Sequence, residues 1–208
     1  MKKAAIVGAS ECHVELDPNL DYIGVDGGNE ILFKQHIKPM LAVGDFDSLT
    51  NAQILKEVKK ISLPTHKDDT DSAIAIEYLI EKGYNDIILY GVTGGRLDHF
   101  LAVCTLLSKY RDAKLTIIDE QNKMYLLKEG VHKIQKEDYQ YISFFALTKA
   151  NLTIEGCAYP LDHYDLIYND PLCVSNEILL KECTITTSND IYVIQSRNKK
   201  GNESWQQK

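Results

Sequence analysis

Two textures follow one another along the chain, and their order restricts the fold more than any other feature. In the first half, five short apolar runs are each bounded by turn residues: AAIVG (4–8), YIGVD (22–26), MLAVGD (40–45), DIILYGV (86–92) and KLTIID (114–119). Between them, EILFKQH (30–36) and the segments 72–82 and 99–110 carry apolar residues at helical spacing. Strands that alternate with helices predict an α/β domain with a mostly parallel, Rossmann-like sheet. After about residue 122 the runs become β-branched and aromatic: YISFFAL (141–147), NLTIEG (151–156), YDLIY (164–168), EILLKECTITT (177–187) and DIYVIQS (190–196). Separated by Asn, Asp, Pro and Ser, they predict an all-β sandwich over 123–208, with SND (188–190) as a hairpin turn.

Local signals sharpen this outline. In the segment 72–82, Ala73, Ile76, Leu79 and Ile80 share one helical face, Glu77, Glu81 and Lys82 are able to stay in solvent, and Gly83 is placed to end the helix. With 208 residues, 44% of them hydrophobic, the chain can bury a core of ordinary size. A net charge of -7 argues against sequence-independent nucleic-acid binding, which rests on clustered Lys and Arg. Five scattered cysteines without a CxxC spacing suggest neither a zinc site nor a disulfide framework, and read as reduced cytosolic thiols. The apolar run in MKKAAIVGAS is too short for a secretory signal, and no stretch approaches the ~20 apolar residues of a membrane span, so a cytoplasmic protein is expected.

The residues suited to chemistry gather in four turns that follow strand runs. These are DGG (Asp26, Gly27, Gly28), GDFDS (44–48), KDDTD (67–71) and GGRLDH (94–99). In an open α/β sheet, ligands bind beyond the carboxyl ends of the strands, so such turns are able to converge on one crevice. Asp45 and Asp47 are two apart on a loop leaving a strand, which aims two hard oxygen ligands the same way; a turn with an Asx hydrogen bond is the structural alternative. In KDDTD, Thr70 or Asp69 can cap the following helix, yet capping does not require Asp68, Asp69 and Asp71 together. Crowded carboxylates repel unless they share a cation, and Mg²⁺ suits a few carboxylates plus phosphate oxygens. Gly94 and Gly95 let backbone approach a ligand, Arg96 offers a fork that matches phosphate, and Asp98 and His99 open the next helix. Taken alone, Asp26 with its two glycines is a tight turn.

Together, DGG, GDFDS, KDDTD and GGRLDH, followed by the late pair Ser175 and Asn176 in VSNE, resemble the thiamine pyrophosphokinase family over nearly the whole chain. The resemblance implies an enzyme that transfers pyrophosphate from ATP to thiamine, giving thiamine diphosphate and AMP, and that works as a homodimer with the site between subunits. It also implies Mg²⁺ ligands at Asp45, Asp47 and Asp71, with Lys67, Asp68 and Thr70 beside them. Asp26, Gly27, Gly28, Gly94, Gly95, Arg96 and Asp98 fall at the ATP and substrate site, with Asp71, Arg96 and Asp98 in catalytic roles. Ser175 and Asn176 match the pair that holds thiamine from the β-domain. Two departures stand out: PLCV precedes the Ser-Asn pair where the family commonly has Gly-Thr, and the sole tryptophan, Trp205, lies in a polar tail, which leaves Tyr192 as an alternative platform or a core residue.

Two rivals remain on sequence grounds. LAVGDFDSLT (41–50) looks a little like the DxDx[TV] nucleophile loop of haloacid-dehalogenase phosphatases, although Leu49 stands where Thr or Val belongs. The other is a non-catalytic sensor that binds a nucleotide or thiamine.

Overall fold

The computed structural model describes residues 1–11, 13–44, 58–62 and 70–198. The chain separates into two compact units, Met1–Asp119 and Glu120–Lys208. The first is built from β1 (Lys3–Val7), β2 (Asp21–Val25), α1 (Gly28–Lys34), β3 (Leu41–Gly44), β4 (Lys60–Ser62), α2 (Asp71–Glu81), β5 (Asp86–Tyr90), α3 (Leu97–Lys109) and β6 (Lys114–Ile118). Its strands run in the order β4-β3-β2-β1-β5-β6, every pairing parallel. A parallel sheet needs crossovers, and crossovers place helices on its faces, which is why its strands read as continuous apolar runs. In β1 only Lys3 is exposed; Ala4, Ala5, Ile6 and Val7 are fully buried. Leu32 of α1 joins Ala5, Val7, Tyr22, Ile88 and Tyr90 in one core cluster.

Helix α2 packs on β1, β2 and β3 and buries Ala73, Ala75, Ile76 and Leu79. Ile80, expected on that face, is exposed instead. The helix is rotated so that Ala75, one turn before Leu79, meets the sheet and Ile80 takes the outer margin. Thr70 is the N-cap, its Oγ1 accepting the Ala73 N–H at 3.2 Å. At the other end Gly83 lies at φ +80, its N–H donating to the Ile80 carbonyl and that of Tyr84 to the Leu79 carbonyl. This pair of bonds is a Schellman closure, which favours glycine at the left-handed position.

The second unit is all antiparallel: β7 (Asn122–Leu127), β8 (Gly130–Gln135), β9 (Tyr141–Ala146), β10 (Lys149–Glu155), β11 (Leu161–Ile167), β12 (Glu182–Thr187) and β13 (Ile191–Ser196). One layer sets β13 between β7 and β9, and the other runs β11-β10-β12-β8. Phe144 and Val193 from the first layer share a core with Leu152, Ile154 and Ile185 from the second, so the layers form a sandwich.

Three details differ from the sequence reading. Strands β4, β7 and β8 were not foreseen. The run 177–187 becomes a strand only from Glu182; before it, Ile178 makes a single bridge to Cys157 while Leu179 and Leu180 are exposed. SND is not a hairpin, because β12 and β13 belong to different layers. Its polar groups are tied elsewhere: Ser188 exchanges two bonds with the Asn151 backbone, Asn189 donates to the Lys149 carbonyl, and Asp190 accepts the Glu129 N–H. Among the described residues no helix is long and apolar enough to cross a membrane.

The cap on α2 gives a direct test of this local architecture. Thr70→Ala is expected to lower stability by ~1 kcal/mol, with Thr70→Ser recovering most of the loss, as read from denaturant midpoints at unchanged slope.

Candidate active site

All six strands of the first unit run the same way, so their carboxyl ends share one edge of the sheet. From β1 the order steps outward to β4, and the chain then returns to β5 on the other side of β1. The boundary between β1 and β5 is thus a topological switch point, where the outgoing loops part and leave a crevice.

Close backbone contacts draw the turns together there. The Gly8 N–H donates to the Tyr90 carbonyl at 2.8 Å and the Ser10 N–H to the Gly91 carbonyl at 2.9 Å, which stitches the turn after β1 to the turn after β5. A Cβ on Gly28 would lie 1.8 Å from the Val7 carbonyl oxygen, so the first residue of α1 abuts the end of β1. A Cβ on Gly95 would lie 3.0 Å from Ser10 Oγ, and one on Gly27 would lie 3.2 Å from Ala9 Cβ. DGG and GGR therefore flank the same short turn, Gly8–Ser10.

Asp26 extends this crest toward the GDFDS turn. It sits at φ +49, its N–H donating to the Val43 carbonyl at 3.0 Å. Its own carbonyl accepts two bonds from Asn29, from the backbone N–H at 3.2 Å and from Nδ2 at 3.0 Å. Asn29 is fully buried, and its side chain thereby holds the strained Asp26 in place. The Asp26 carboxylate rests against Gly44: a Cβ there would be 2.0 Å from Asp26 Oδ1, and Gly44 has φ +139. Only glycine fits that position. The first residue of GDFDS is thus in contact with the first residue of DGG. Asp45, Asp47, Lys67, Asp68 and Asp69 lie outside the described residues.

Thr70 caps α2, and Asp71 stands half-buried in its first turn, where the positive end of the helix dipole favours an acid. In the last turn of the crest, Gly94 has φ +79 and open space around it, and residues 94–99 are all exposed. Arg96 and Asp98 form a two-pronged pair, Nε to Oδ1 at 3.1 Å and Nη2 to Oδ2 at 2.5 Å. Asp98 Oδ1 also accepts the His99 N–H at 3.0 Å. The Arg96 hydrogen bond holds the Asp98 carboxyl down to about 2, and the same pairing raises the Arg96 guanidinium. Thr93 donates to Asp119 at 2.8 Å, tying the turn to the end of β6.

In the second unit, Ser175 and Asn176 differ in character. Ser175 is exposed, at φ +59, its N–H donating to Ser143 Oγ at 3.0 Å. Asn176 is buried, and its backbone exchanges two bonds with Ile142. Its side-chain Oδ1 accepts the Tyr159 and Glu177 N–H groups, each at 2.9 Å, while Nδ2 donates to the Tyr159 carbonyl at 2.7 Å. The amide is committed to shaping the turn that presents Ser175. Tyr192 is half-buried on β13, between Leu126 and Phe145, and Trp205 lies outside the described residues.

The sequence reading did not single out Ser10, Asn29 or Thr93. For Ser10 a signal was present, since GAS follows the apolar run AAIV as the other glycine turns follow theirs. Among the described residues no three His, Cys, Asp or Glu side chains form a metal-holding group.

A parallel sheet with ligand-suited turns at its switch point, followed by an antiparallel sandwich, defines an α/β enzyme class with a separate β-domain. Comparison with known proteins fixes the family. The model of the thiamin pyrophosphokinase catalytic domain matches residues 18–119, and that of the thiamin pyrophosphokinase vitamin B1 binding domain matches residues 131–192. A thiamine pyrophosphokinase of Bacillus subtilis is 35% identical over 188 residues, 86% of this chain and 87% of that one. The crystal structure of thiamine pyrophosphokinase from Bacillus subtilis superposes with a TM-score of 0.87 at 30% identity, covering 95% of this chain and 100% of that one. That from Geobacillus thermodenitrificans gives 0.86 at 29% identity, covering 95% and 99%. The chain belongs to the thiamin pyrophosphokinase family of enzymes.

The Arg96–Asp98 pair can be read by titration. Because the folded carboxyl is depressed, its stabilising share is present above the ordinary aspartate value of about 3.9 and is lost as pH falls toward about 2. In Arg96→Ala, the Asp98 carboxyl followed by ¹³C NMR is expected to titrate back near the ordinary value; an unchanged midpoint would show that Arg96 is not its partner.

Proposed function

We propose that the chain transfers the pyrophosphoryl group of ATP to the hydroxyl of thiamine, giving thiamine diphosphate and AMP in a Mg²⁺-dependent reaction. The observation that carries this reading is the meeting of DGG, the start of GDFDS and GGRLDH on one crest, in a chain that both family domains match. Transfer to an alcohol needs in-line placement and stabilisation of charge on the phosphates, with no covalent intermediate.

The residues divide by chemistry. Asp45, Asp47 and Asp71 form a donor set of carboxylate oxygens only, which suits a hard cation such as Mg²⁺. When bound, the ion neutralises charge on the polyphosphate. Lys67, Asp68 and Thr70 belong to the same KDDTD stretch as Asp71 and complete that side of the site. Asp26, Gly27 and Gly28 line the nucleotide side of the crest, while Gly94 and Gly95 let backbone approach phosphate and Arg96 steadies it. Asp98 orients the thiamine hydroxyl by accepting its hydrogen. Paired with Arg96 it is ionised but a poor base, since a carboxyl held to about 2 has little affinity for a proton at neutral pH. As Arg96 turns to phosphate, Asp98 loses that partner and becomes more basic, which couples arrival of the polyphosphate to readiness of the hydroxyl. From the β-domain, the exposed Ser175 hydroxyl faces thiamine and Asn176 sets the turn.

The working form on this reading is a cytoplasmic homodimer with the site shared between subunits. Exposed Leu97 and Leu101 beside Arg96, and exposed Leu179 and Leu180 shortly after Ser175, support such covering. Among the described residues, Cys104, Cys157, Cys173 and Cys183 are buried thiols outside any disulfide, in keeping with a reducing compartment.

The deciding experiment resolves AMP and thiamine diphosphate by chromatography after incubation with ATP, Mg²⁺ and thiamine. Equimolar products, abolished by chelator, are expected; inorganic phosphate without AMP, or tight binding without product, would sink the proposal. Asp71→Asn is expected to lower turnover by on the order of 100-fold or more with the fold intact, the scale of several kcal/mol of lost charge stabilisation. The two β-domain positions should separate by readout. Ser175→Ala raises the KM for thiamine with little change in stability, whereas Asn176→Ala costs roughly 1–3 kcal/mol, because the Tyr159 backbone loses its partners.

A further inference from the structure

The proposed chemistry occupies the edge of the sheet where the strands end. Where they begin, the first unit carries a second concavity. A cavity of about 320 Å³ lies at the starts of β2, β3 and β4, its wall including Asp21, Tyr22, Lys38, Pro39, Met40 and Lys59. The volume is near the ~300 Å³ lower end of small-molecule sites, so it suits a compact ligand.

Positive charge collects around this cavity, against the net charge of -7 of the whole chain. Lys59 and Lys82 each hold their ammonium 5.5 Å from the centre of the Tyr78 ring. Lys2 lies 3.7 Å over the Tyr84 ring, with its Nζ 3.3 Å from the Lys82 carbonyl oxygen. The carbonyls at the end of α2 account for Lys2, while Lys82 and Lys59 share the Tyr78 face. Of these basic residues and Lys38, it is Lys38 and Lys59 that belong to the cavity wall.

The wall also holds an acceptor. Asp21 takes the Tyr84 hydroxyl on Oδ2 at 2.5 Å, and the same hydroxyl lies 4.0 Å from Met40 Sδ. Burial, reinforced by Asp21, pushes the Tyr84 phenol up to about 12, so it remains a donor that anchors the carboxylate. Two lysines, one oriented carboxylate and the apolar Pro39 and Met40 make the wall a mixed one. Phosphate answers the first, a hydroxyl the second, and a ring or carbon chain the third.

We propose that this cavity binds a small phosphate monoester bearing hydroxyl groups, a mononucleotide or sugar phosphate, with its phosphate on Lys38 and Lys59 and a hydroxyl on Asp21. The site is distinct from the crest and does not depend on the reaction proposed there. β2 and β3, which start at its wall, end at Val25 and Gly44, next to Asp26 and Asp45.

Methionine labelling gives a clean test, because the chain has three methionines: Met1, Met40 on the cavity wall and Met124 buried in β7. With [methyl-¹³C]methionine protein, AMP, ribose 5-phosphate, inorganic phosphate and adenosine are titrated separately into the millimolar range. The expected result is a saturable movement of the Met40 methyl with AMP or ribose 5-phosphate, with Met124 still and adenosine without effect. A Lys38→Ala/Lys59→Ala double variant should lose that movement while forming AMP and thiamine diphosphate as the unaltered protein does. A stationary Met40 with every probe, or a movement that survives the double variant, would overturn the site. Inorganic phosphate acting as strongly as both esters would overturn its assignment to monoesters.

Discussion

The contact between Gly28 and the Val7 carbonyl governs the first unit. At that distance no side chain fits, and with it absent α1 can begin directly on the end of β1. The turn that carries Asp26 is then seated between the first strand and the third, touching Gly44. The mutual approach of Gly8 and Gly91 does the same on the other side of β1. Backbone proximity, rather than side-chain packing, is what assembles the crest from segments far apart in sequence. It also explains why the candidate site residues are carried on turns, while the strands beneath them are largely apolar and buried.

Upon that frame the electrostatics are arranged in cis. Arg96 and Asp98 satisfy each other through a two-pronged bond on an exposed turn, where an ion pair adds little to stability. Its significance lies in poise: each group is held at a defined place and each can be drawn away by a ligand of the opposite sign. Asn29 acts on the opposite flank by a different means. Its buried amide holds the Asp26 backbone, and its Oδ1 has no hydrogen-bond partner within the described structure. An unmet buried acceptor is costly, so its retention points to the worth of fixing Asp26.

Much of this was legible in the sequence, for identifiable reasons. The runs AAIV, YIGV, LAV, IILY and LTII announce a parallel sheet because strands covered on both faces have no polar alternation to confuse the pattern. Thr70 was readable as a cap because a hydroxyl preceding an apolar helical stripe has few other uses. β4 was not legible, since three residues carry no period. β7 and β8 escaped notice because NKMYLL and GVHKIQ bury few of their residues and so resemble polar connections. Ser188, Asn189 and Asp190 have the composition of a hairpin turn, but their partners lie on other strands, and composition does not reveal partners. The four turns could be named from spacing, while Ser10 and Asn29 owe their place at the crest to contacts that appear only once β1, β2 and β5 lie side by side. The inward amide of Asn176 was equally hidden, as a polar residue in a loop gives no sign of facing the core.

The crossing from β12 to β13 bears on how the second unit comes into being. β13 is the last described strand in the chain, yet it occupies the middle of its layer, with β7 on one side and β9 on the other. During synthesis, β7 and β9 emerge first and have no neighbour in common until residues 191–196 leave the ribosome. Closure of the β-domain is therefore deferred until residues 191–196 have been made, and Phe144 stays partly uncovered until Val193 arrives beside it. A chain stalled before residue 191 would present two unmatched strand edges to its surroundings, which makes the interval before β13 emerges the one in which quality control has most to act upon.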